Sequence, residues 1–346
     1  MLRSVLTSSL LSLLVAASAA HAQPLPSSKS AAASAPAKAA RVGFRELTIT
    51  NGEDKPLTIG VWYPTDAVER PTRLRTFMQT VAAGGALAGS GLPLVVFSHG
   101  TGGWYGGHYD TALALARAGF VVAAVSHAGD TYDDHSRAAM IWARSAQIHR
   151  LIDYMLGEWP DHARIDPARV GAFGFSAGGF TTLVVAGGVP TLARTEAQCQ
   201  AHPAYFECGV AKALPNRDAV IAGLPASVWV HDPRVKAAVV AAPALGYTFG
   251  KDGLSDVRIP IQLWRDEDDH ILPNPDYAEA VRVALPEAPE YHVVPNADHY
   301  DFLAPCSPML AQRVPDVCAE RPGFDRTAFH EAFDRQVVAF FERTLR

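Results

Sequence analysis

The chain has 346 residues, of which 49% are apolar and 19% charged, with 27 Gly, 25 Pro and a formal net charge of −5. That size and apolar share permit one large core or two modest ones, and the Gly and Pro counts call for many turns. The acidic balance argues against a nucleic-acid partner, which needs a basic face to neutralise phosphates. No uninterrupted apolar run of about 18 residues is present to form a transmembrane segment.

In chain order, MLRSVLTSSLLSLLVAASAAHA carries one early cation, Arg3, then an apolar segment, then small residues closing on Ala20-His21-Ala22. That is the layout of a secretory signal peptide over 1–22, cut before Gln23. Residues 23–40, rich in Ala, Pro and Ser, read as a disordered linker, so the folded domain is expected over 41–346, in an exported protein, periplasmic or secreted.

Strand patterns follow at 41–49 and 56–65, which alternate as an antiparallel edge hairpin does. Others lie at 92–100, 119–129, 169–176, 235–243, 259–264 and 290–295, mostly continuous Val/Ala/Leu/Phe runs expected of parallel strands covered on both faces. Helical patterns at 108–119, 135–157, 177–186, 275–285 and 326–345 separate them. The alternation predicts an α/β fold, a mostly parallel eight-stranded sheet flanked by helices. Residues 190–234 break the rhythm with prolines and a cysteine pair, and read as a short cap-like insertion over the sheet. In an oxidising compartment the short separations favour disulfides Cys199–Cys208 and Cys306–Cys318, out of three connectivities. No Cys-x-x-Cys or paired-His spacing points to a zinc site.

One motif carries chemistry. Gly174-Phe175-Ser176-Ala177-Gly178 is G-x-S-x-G at the end of a predicted strand and the start of a predicted helix. A sharp turn there thrusts the Ser176 hydroxyl out above the sheet, and the flanking glycines remove side chains that would clash. The Ala177 N–H, backed by the helix dipole, points to where an oxyanion would form. A phosphate-binding glycine loop is the rival, but its Lys-Ser/Thr pair is missing. Serine needs a base. Of the histidines late in the chain, His292 falls in a strand pattern and His330 in a helix, whereas His299 lies in the loop between them and is the candidate.

The loop after strand 92–100, His99-Gly100-Thr101-Gly102-Gly103, offers a second oxyanion N–H, from Thr101 with Gly102 as the alternative. His99 itself reads as a brace for that loop. Trp104 and Tyr105 are equally suited to a substrate pocket and to the core. Asp130, Asp133, Asp134 and His135 read as a solvated loop before a helix rather than a cation site.

The stretches VVFSHGTGG, GFVVAAVSHAGD, RIDPARVGAFGFSAGG and VPNADHYDFLAPC, with the closing PGFDRTAFHEAFDRQVVAFFERTL, resemble the α/β-hydrolase superfamily. Within it they are similar to the predicted dienelactone hydrolase and platelet-activating-factor acetylhydrolase-like serine esterases. The resemblance implies a carboxylic ester hydrolase with a Ser-Asp-His triad, acting on a small-molecule ester with no metal and no cofactor. It assigns Ser176 as nucleophile, His299 as base, and the Thr101 and Ala177 N–H groups as oxyanion donors. An amidase or peptidase on the same machinery is the alternative, and a catalytically silent binding protein of this fold the alternative from another class. Dienelactone hydrolases carry cysteine at the elbow where this chain has Ser176, which argues against a lactone substrate.

The triad acid belongs just beyond strand 259–264, where Asp266-Glu267-Asp268-Asp269-His270 packs four carboxylates and a histidine together. The superfamily pattern D-x-x-[aliphatic]-P fits Asp269 to Pro273 and favours Asp269 over Asp268. Asp266 and Glu267 are then expected to be solvated turn residues.

Overall fold

The structure, a computed structural model, describes residues 40–345. The expected signal peptide, and all of the expected linker except Ala40, lie outside the described residues.

Ten strands form one sheet: β1 (Arg41–Asn51), β2 (Asp54–Thr65), β3 (Arg70–Leu74), β4 (Phe77–Ala83), β5 (Leu92–Ser98), β6 (Val121–Ser126), β7 (Ile165–Phe175), β8 (Val235–Ala241), β9 (Ile261–Asp266) and β10 (Glu290–Val294). Their order is β10-β9-β8-β7-β5-β6-β2-β1-β4-β3. From β6 through β10 every ladder is parallel, whereas β2 runs antiparallel to both β1 and β6. The expected α/β class and mostly parallel sheet are present. The two strands beyond the predicted eight are the β3–β4 hairpin, whose sequence RPTRLRTFMQ carries three arginines and a proline. Charge and proline suit a sheet edge, where they discourage pairing with other chains, but they mask the strand pattern.

The helices are α1 (Tyr109–Arg117), α2 (Arg144–Asp153), α3 (Ala177–Val185), α4 (Arg194–Ala201), α5 (Phe206–Lys212), α6 (Arg217–Ala222), α7 (Ala278–Ala284), α8 (Pro308–Arg313), α9 (Pro315–Cys318) and α10 (Arg326–Thr344). Alternate side chains of the central strands feed opposite cores. Val95, Phe97 and Phe173 pack under α1 and α10, through Leu115, Phe333 and Phe341. Leu94, Val96 and Ala172 pack against α2 through Ile148 and Leu151, and Val240 and Leu263 against α3 and α7 through Leu183 and Val281. Among the described residues no helix is long and apolar enough to cross a membrane.

The helix expected over 135–157 is shorter. Residues 135–140 form turns because the Arg137 N–H donates to the Gly129 carbonyl and its guanidinium pairs with Asp54 at 2.6 Å, tying the segment to the start of β2. Residues 190–234, between α3 and β8, hold α4 to α6, and both expected disulfides are formed: Cys199–Cys208 joins α4 to α5, and Cys306–Cys318 closes the α8–α9 turn.

Candidate functional site

Strand β7 ends at Phe175 and α3 starts at Ala177, which leaves Ser176 alone to make the turn. It does so with φ of +56°, a region costly for a side chain bearing Cβ and held here by its surroundings. The Ser176 N–H donates to the Ala241 carbonyl on β8, and its own carbonyl accepts from Phe180 and Ala244. The motif glycines are sterically required. A Cβ on Gly174 would run into the Gly178 carbonyl, and one on Gly178 into the carbonyl of Ser98 on the neighbouring strand.

The side chains named from sequence converge on this turn. His299 Nε2 lies 3.1 Å from Ser176 Oγ, and its Nδ1 lies 2.8 Å from Asp269 Oδ2. With Nδ1–H donating to the carboxylate, Nε2 is free to accept the serine proton. Both Asp269 and His299 are buried. Asp269 is pinned through its other oxygen, which accepts the N–H groups of Ile271 at 2.9 Å and Leu272 at 2.6 Å. Its neighbour Asp268 points outward toward Arg321, 3.5 Å away.

The His299 turn is a capped 3₁₀ segment. Asp298 accepts the His299 N–H, the Asp301 carboxylate returns to the Asp298 N–H, and buried Arg326 pairs with Asp301 at 2.8 Å. His270 is exposed and bonds Asp298, away from the serine. His292 stacks on Trp264 in the sheet, and buried His330 pairs with Asp110.

The loop after β5 sits beside the serine. Among the described residues the N–H groups of Thr101 and Ala177 have no hydrogen-bond partner, whereas the Gly102 N–H donates to Asp130 Oδ1 at 2.8 Å. Gly102, the alternative donor, is therefore occupied. His99 braces the loop: Nδ1–H donates to the Gly100 carbonyl at 2.6 Å, and Nε2 accepts the His127 N–H at 3.0 Å. Burial first, then the nearby Arg144 cation, lower its pKa to about 3, so it stays neutral and keeps this tautomer.

Two expectations about acids are corrected. Asp130 is not solvated. It is buried and paired with Arg144 at 2.6 Å. Asp266 is not a turn residue at the surface but the 1%-exposed end of β9, and neither carboxyl oxygen has a hydrogen-bond partner among the described residues. Burial, reinforced by Asp269, Asp301 and Asp298, pushes its pKa well above the usual carboxylate range. The causes differ: Asp266 sits in a polar run but is the last residue of a buried strand, whereas Asp130 lies in the loop after β6 and is buried by its pairing with Arg144, 14 positions away. Arg144 did leave a signal, because it occupies the same face of α2 as Ile148 and Leu151.

Asp266, Asp269 and His299 also offer ligand atoms within 4.8 Å of one another, a spacing that could hold a cation. In the observed arrangement Asp269 and the His299 Nδ1–H satisfy each other, and the burial that raises the Asp266 pKa disfavours the ionised form a cation needs.

Two cavities meet at Ser176 and Thr101. The larger, about 450 Å³, is lined by Arg75, Phe77, Trp104, Tyr132, His299 and the disulfide-closed 306–318 segment. The smaller, about 70 Å³, is mainly apolar, lined by Trp142, Leu192, Phe206, Leu214 and Leu245, with Glu207 and Arg217 also on its wall. Trp104 thus faces the large cavity. Tyr105, its companion as a candidate pocket residue, does not: it is buried against Trp62 with its hydroxyl donating to Glu46.

Residues 76–149 match the family described as platelet-activating factor acetylhydrolase, isoform II, a stretch running from the β3–β4 turn through the 99–103 loop into α2. No curated protein matches the chain. Among solved structures, a ferulic acid esterase from Streptomyces cinnamoneus is similar with a TM-score of 0.62 at 20% identity, over 90% of this chain and 92% of that one. A dienelactone hydrolase from Anabaena variabilis is similar with a TM-score of 0.51 at 16% identity, over 88% of this chain and 100% of that one. The chain shares the fold of these two hydrolases, and the match to the acetylhydrolase family is confined to residues 76–149.

Proposed function

We propose that the protein is a serine esterase that cleaves carboxylic esters through an acyl-serine intermediate, with Ser176, His299 and Asp269 as its triad. The observation carrying the proposal is the continuous relay from Asp269 Oδ2 through His299 to Ser176 Oγ, with separations of 2.8 and 3.1 Å. Ser176 attacks the ester carbonyl while His299 Nε2 takes its proton, and Asp269 orients the imidazole and stabilises the imidazolium. The developing oxyanion is received by the unpartnered N–H groups of Thr101 and Ala177, and loss of one such donor typically costs about 100- to 1000-fold in rate. His299 then passes the proton to the departing alcohol, and water activated by the same imidazole releases the acid.

The cavities supply a substrate reading. His299 must protonate the leaving oxygen, so the alcohol lies on the His299 side, in the cavity of about 450 Å³. The acyl group then occupies the opposite cavity of about 70 Å³, which favours short acyl chains. A short-acyl ester of a large, aromatic-compatible alcohol fits both. The acetylhydrolase description of the matched family is consistent with it.

The two disulfides suit an oxidising compartment. With the leader pattern over 1–22 they support an exported protein.

Steady-state hydrolysis of 4-nitrophenyl esters of increasing acyl length, set against the matching anilides, tests these readings. Ser176→Ala is expected to abolish ester cleavage, and the wild type to favour acetyl and propionyl over octanoyl. Full activity in the variant would overturn the nucleophile, and an octanoyl preference would overturn the acyl-side reading.

A further inference from the structure

We infer that the buried Asp130–Arg144 ion pair is a positioning device that aims the Thr101 N–H at the oxyanion site, an inference that rests on the esterase reading above. The peptide bond is planar and trans, so the C=O of one residue and the N–H of the next point in opposite directions. Whatever holds the Gly100 carbonyl therefore aims the Thr101 N–H. That carbonyl accepts from Arg144 Nη2 at 3.3 Å, from His99 Nδ1 at 2.6 Å and from the Gly103 N–H at 3.0 Å. Arg144 Nη1 takes the preceding carbonyl, that of His99, at 2.6 Å.

The following peptide is fixed from the other end. Asp130 Oδ1 accepts the Gly102 N–H at 2.8 Å, and its Oδ2 accepts Arg144 Nε at 3.1 Å and Nη2 at 2.6 Å. Three successive peptide planes, 99–100, 100–101 and 101–102, are thus held by one ion pair, and the Thr101 N–H of the middle plane is left without a partner among the described residues.

Stability gives no reason to keep such a pair. Arg144 is 2% exposed and Asp130 3%. Burying two charges is costly, and well-packed apolar residues of similar size often serve stability as well or better. An apolar pair cannot orient peptide planes. The five donors of the planar Arg144 guanidinium hold the carboxylate and both carbonyls at once, in a fixed fork that the compact point charge of a lysine ammonium does not reproduce. The pair is neutral overall, so it fixes the donor without adding net charge beside the oxyanion.

The test uses the full-length protein carrying Asp130→Asn or Arg144→Lys. The lysine variant retains a buried cation for Asp130 but cannot reach both carbonyls, which keeps the test informative if the asparagine variant folds poorly. Activity is expressed per active site titrated with a fluorophosphonate, so misfolded protein does not count. For both variants kcat is expected to fall about 10- to 100-fold with KM changed less than about threefold, because the donor matters most once the oxyanion forms. Affinity for a trifluoromethyl ketone, whose adduct places an oxyanion in the same site, should fall by the same factor as kcat/KM. A purely structural pair would lower Tm and the titratable fraction while leaving kcat per site and ketone affinity unchanged, and that result would overturn the inference. A wild type without esterase activity would overturn the esterase reading and the inference with it; an active wild type with unaffected variants overturns the inference alone.

Discussion

Replacing Asp269 with asparagine isolates the acid of the proposed triad with little change in shape. The carboxylate makes three hydrogen bonds: Oδ1 accepts the N–H groups of Ile271 and Leu272, and Oδ2 accepts the His299 Nδ1–H at 2.8 Å. An asparagine whose oxygen keeps the two backbone bonds presents its NH₂ to His299. Two donors cannot face each other at that distance, so Nδ1 becomes the acceptor and the imidazole proton moves to Nε2. There it points at Ser176 Oγ, 3.1 Å away, and the base is lost. In serine hydrolases such a tautomer error lowers kcat about 10⁴-fold, roughly 5 kcal/mol in the barrier. Asp268 is the control. Its side chain is 41% exposed and its only ion pair among the described residues, with Arg321, spans 3.5 Å. Exposed pairs contribute about 0–1 kcal/mol to stability and this one touches no reacting group, so Asp268→Asn should stay within about twofold of wild-type kcat. Both variants can be assayed on a short-acyl 4-nitrophenyl ester, with circular dichroism as the folding check. Asp269→Asn within tenfold of wild type, or Asp268→Asn crippled to a similar degree, would refute the assignment.

Two further expectations concern stability and the cavity walls. Asp266 has a raised folded-state pKa, so its stabilising contribution is complete below the ordinary carboxylate range and is lost as pH rises toward the folded value. Urea denaturation at pH 5 and pH 8 should therefore show Asp266→Asn gaining on the wild type at the higher pH, and a difference independent of pH would count against a protonated Asp266. Replacing Cys306 and Cys318 by serine opens a short loop, for which chain entropy predicts a loss of roughly 3 kcal/mol. Because that segment walls the His299-side cavity, KM should rise for esters of large alcohols more than for methyl esters of the same acid. An equal rise for both would refute its place as the alcohol-side wall.

Much of the site could be read from sequence because its chemistry is local. The strand-to-helix turn at Ser176 needs glycines around it, and Gly174 and Gly178 stand where backbone from a neighbouring turn or strand leaves no room for a Cβ. The pattern D-x-x-[aliphatic]-P, supplied by the family resemblance, favoured Asp269 over Asp268, and the structure has Asp269 facing His299 while Asp268 faces solvent. The parallel strands showed as unbroken apolar runs because both their faces are covered. What stayed hidden depended on residues far apart. Arg144 meets the His99 carbonyl across 45 positions, and no spacing rule connects them. Asp266 looked like one more acid of a polar loop, although the β9 ladder continues through it and buries it. The β3–β4 hairpin was missed because edge strands are written in charged residues.

The proposed activation of Ser176 by His299 is tested by covalent titration. A fluorophosphonate added to the wild type should abolish esterase activity at one equivalent, with peptide mass mapping placing the single adduct on Ser176. His299→Ala should react far more slowly at the same position. An adduct on another residue, or full activity remaining after Ser176 is stoichiometrically modified, would contradict the account.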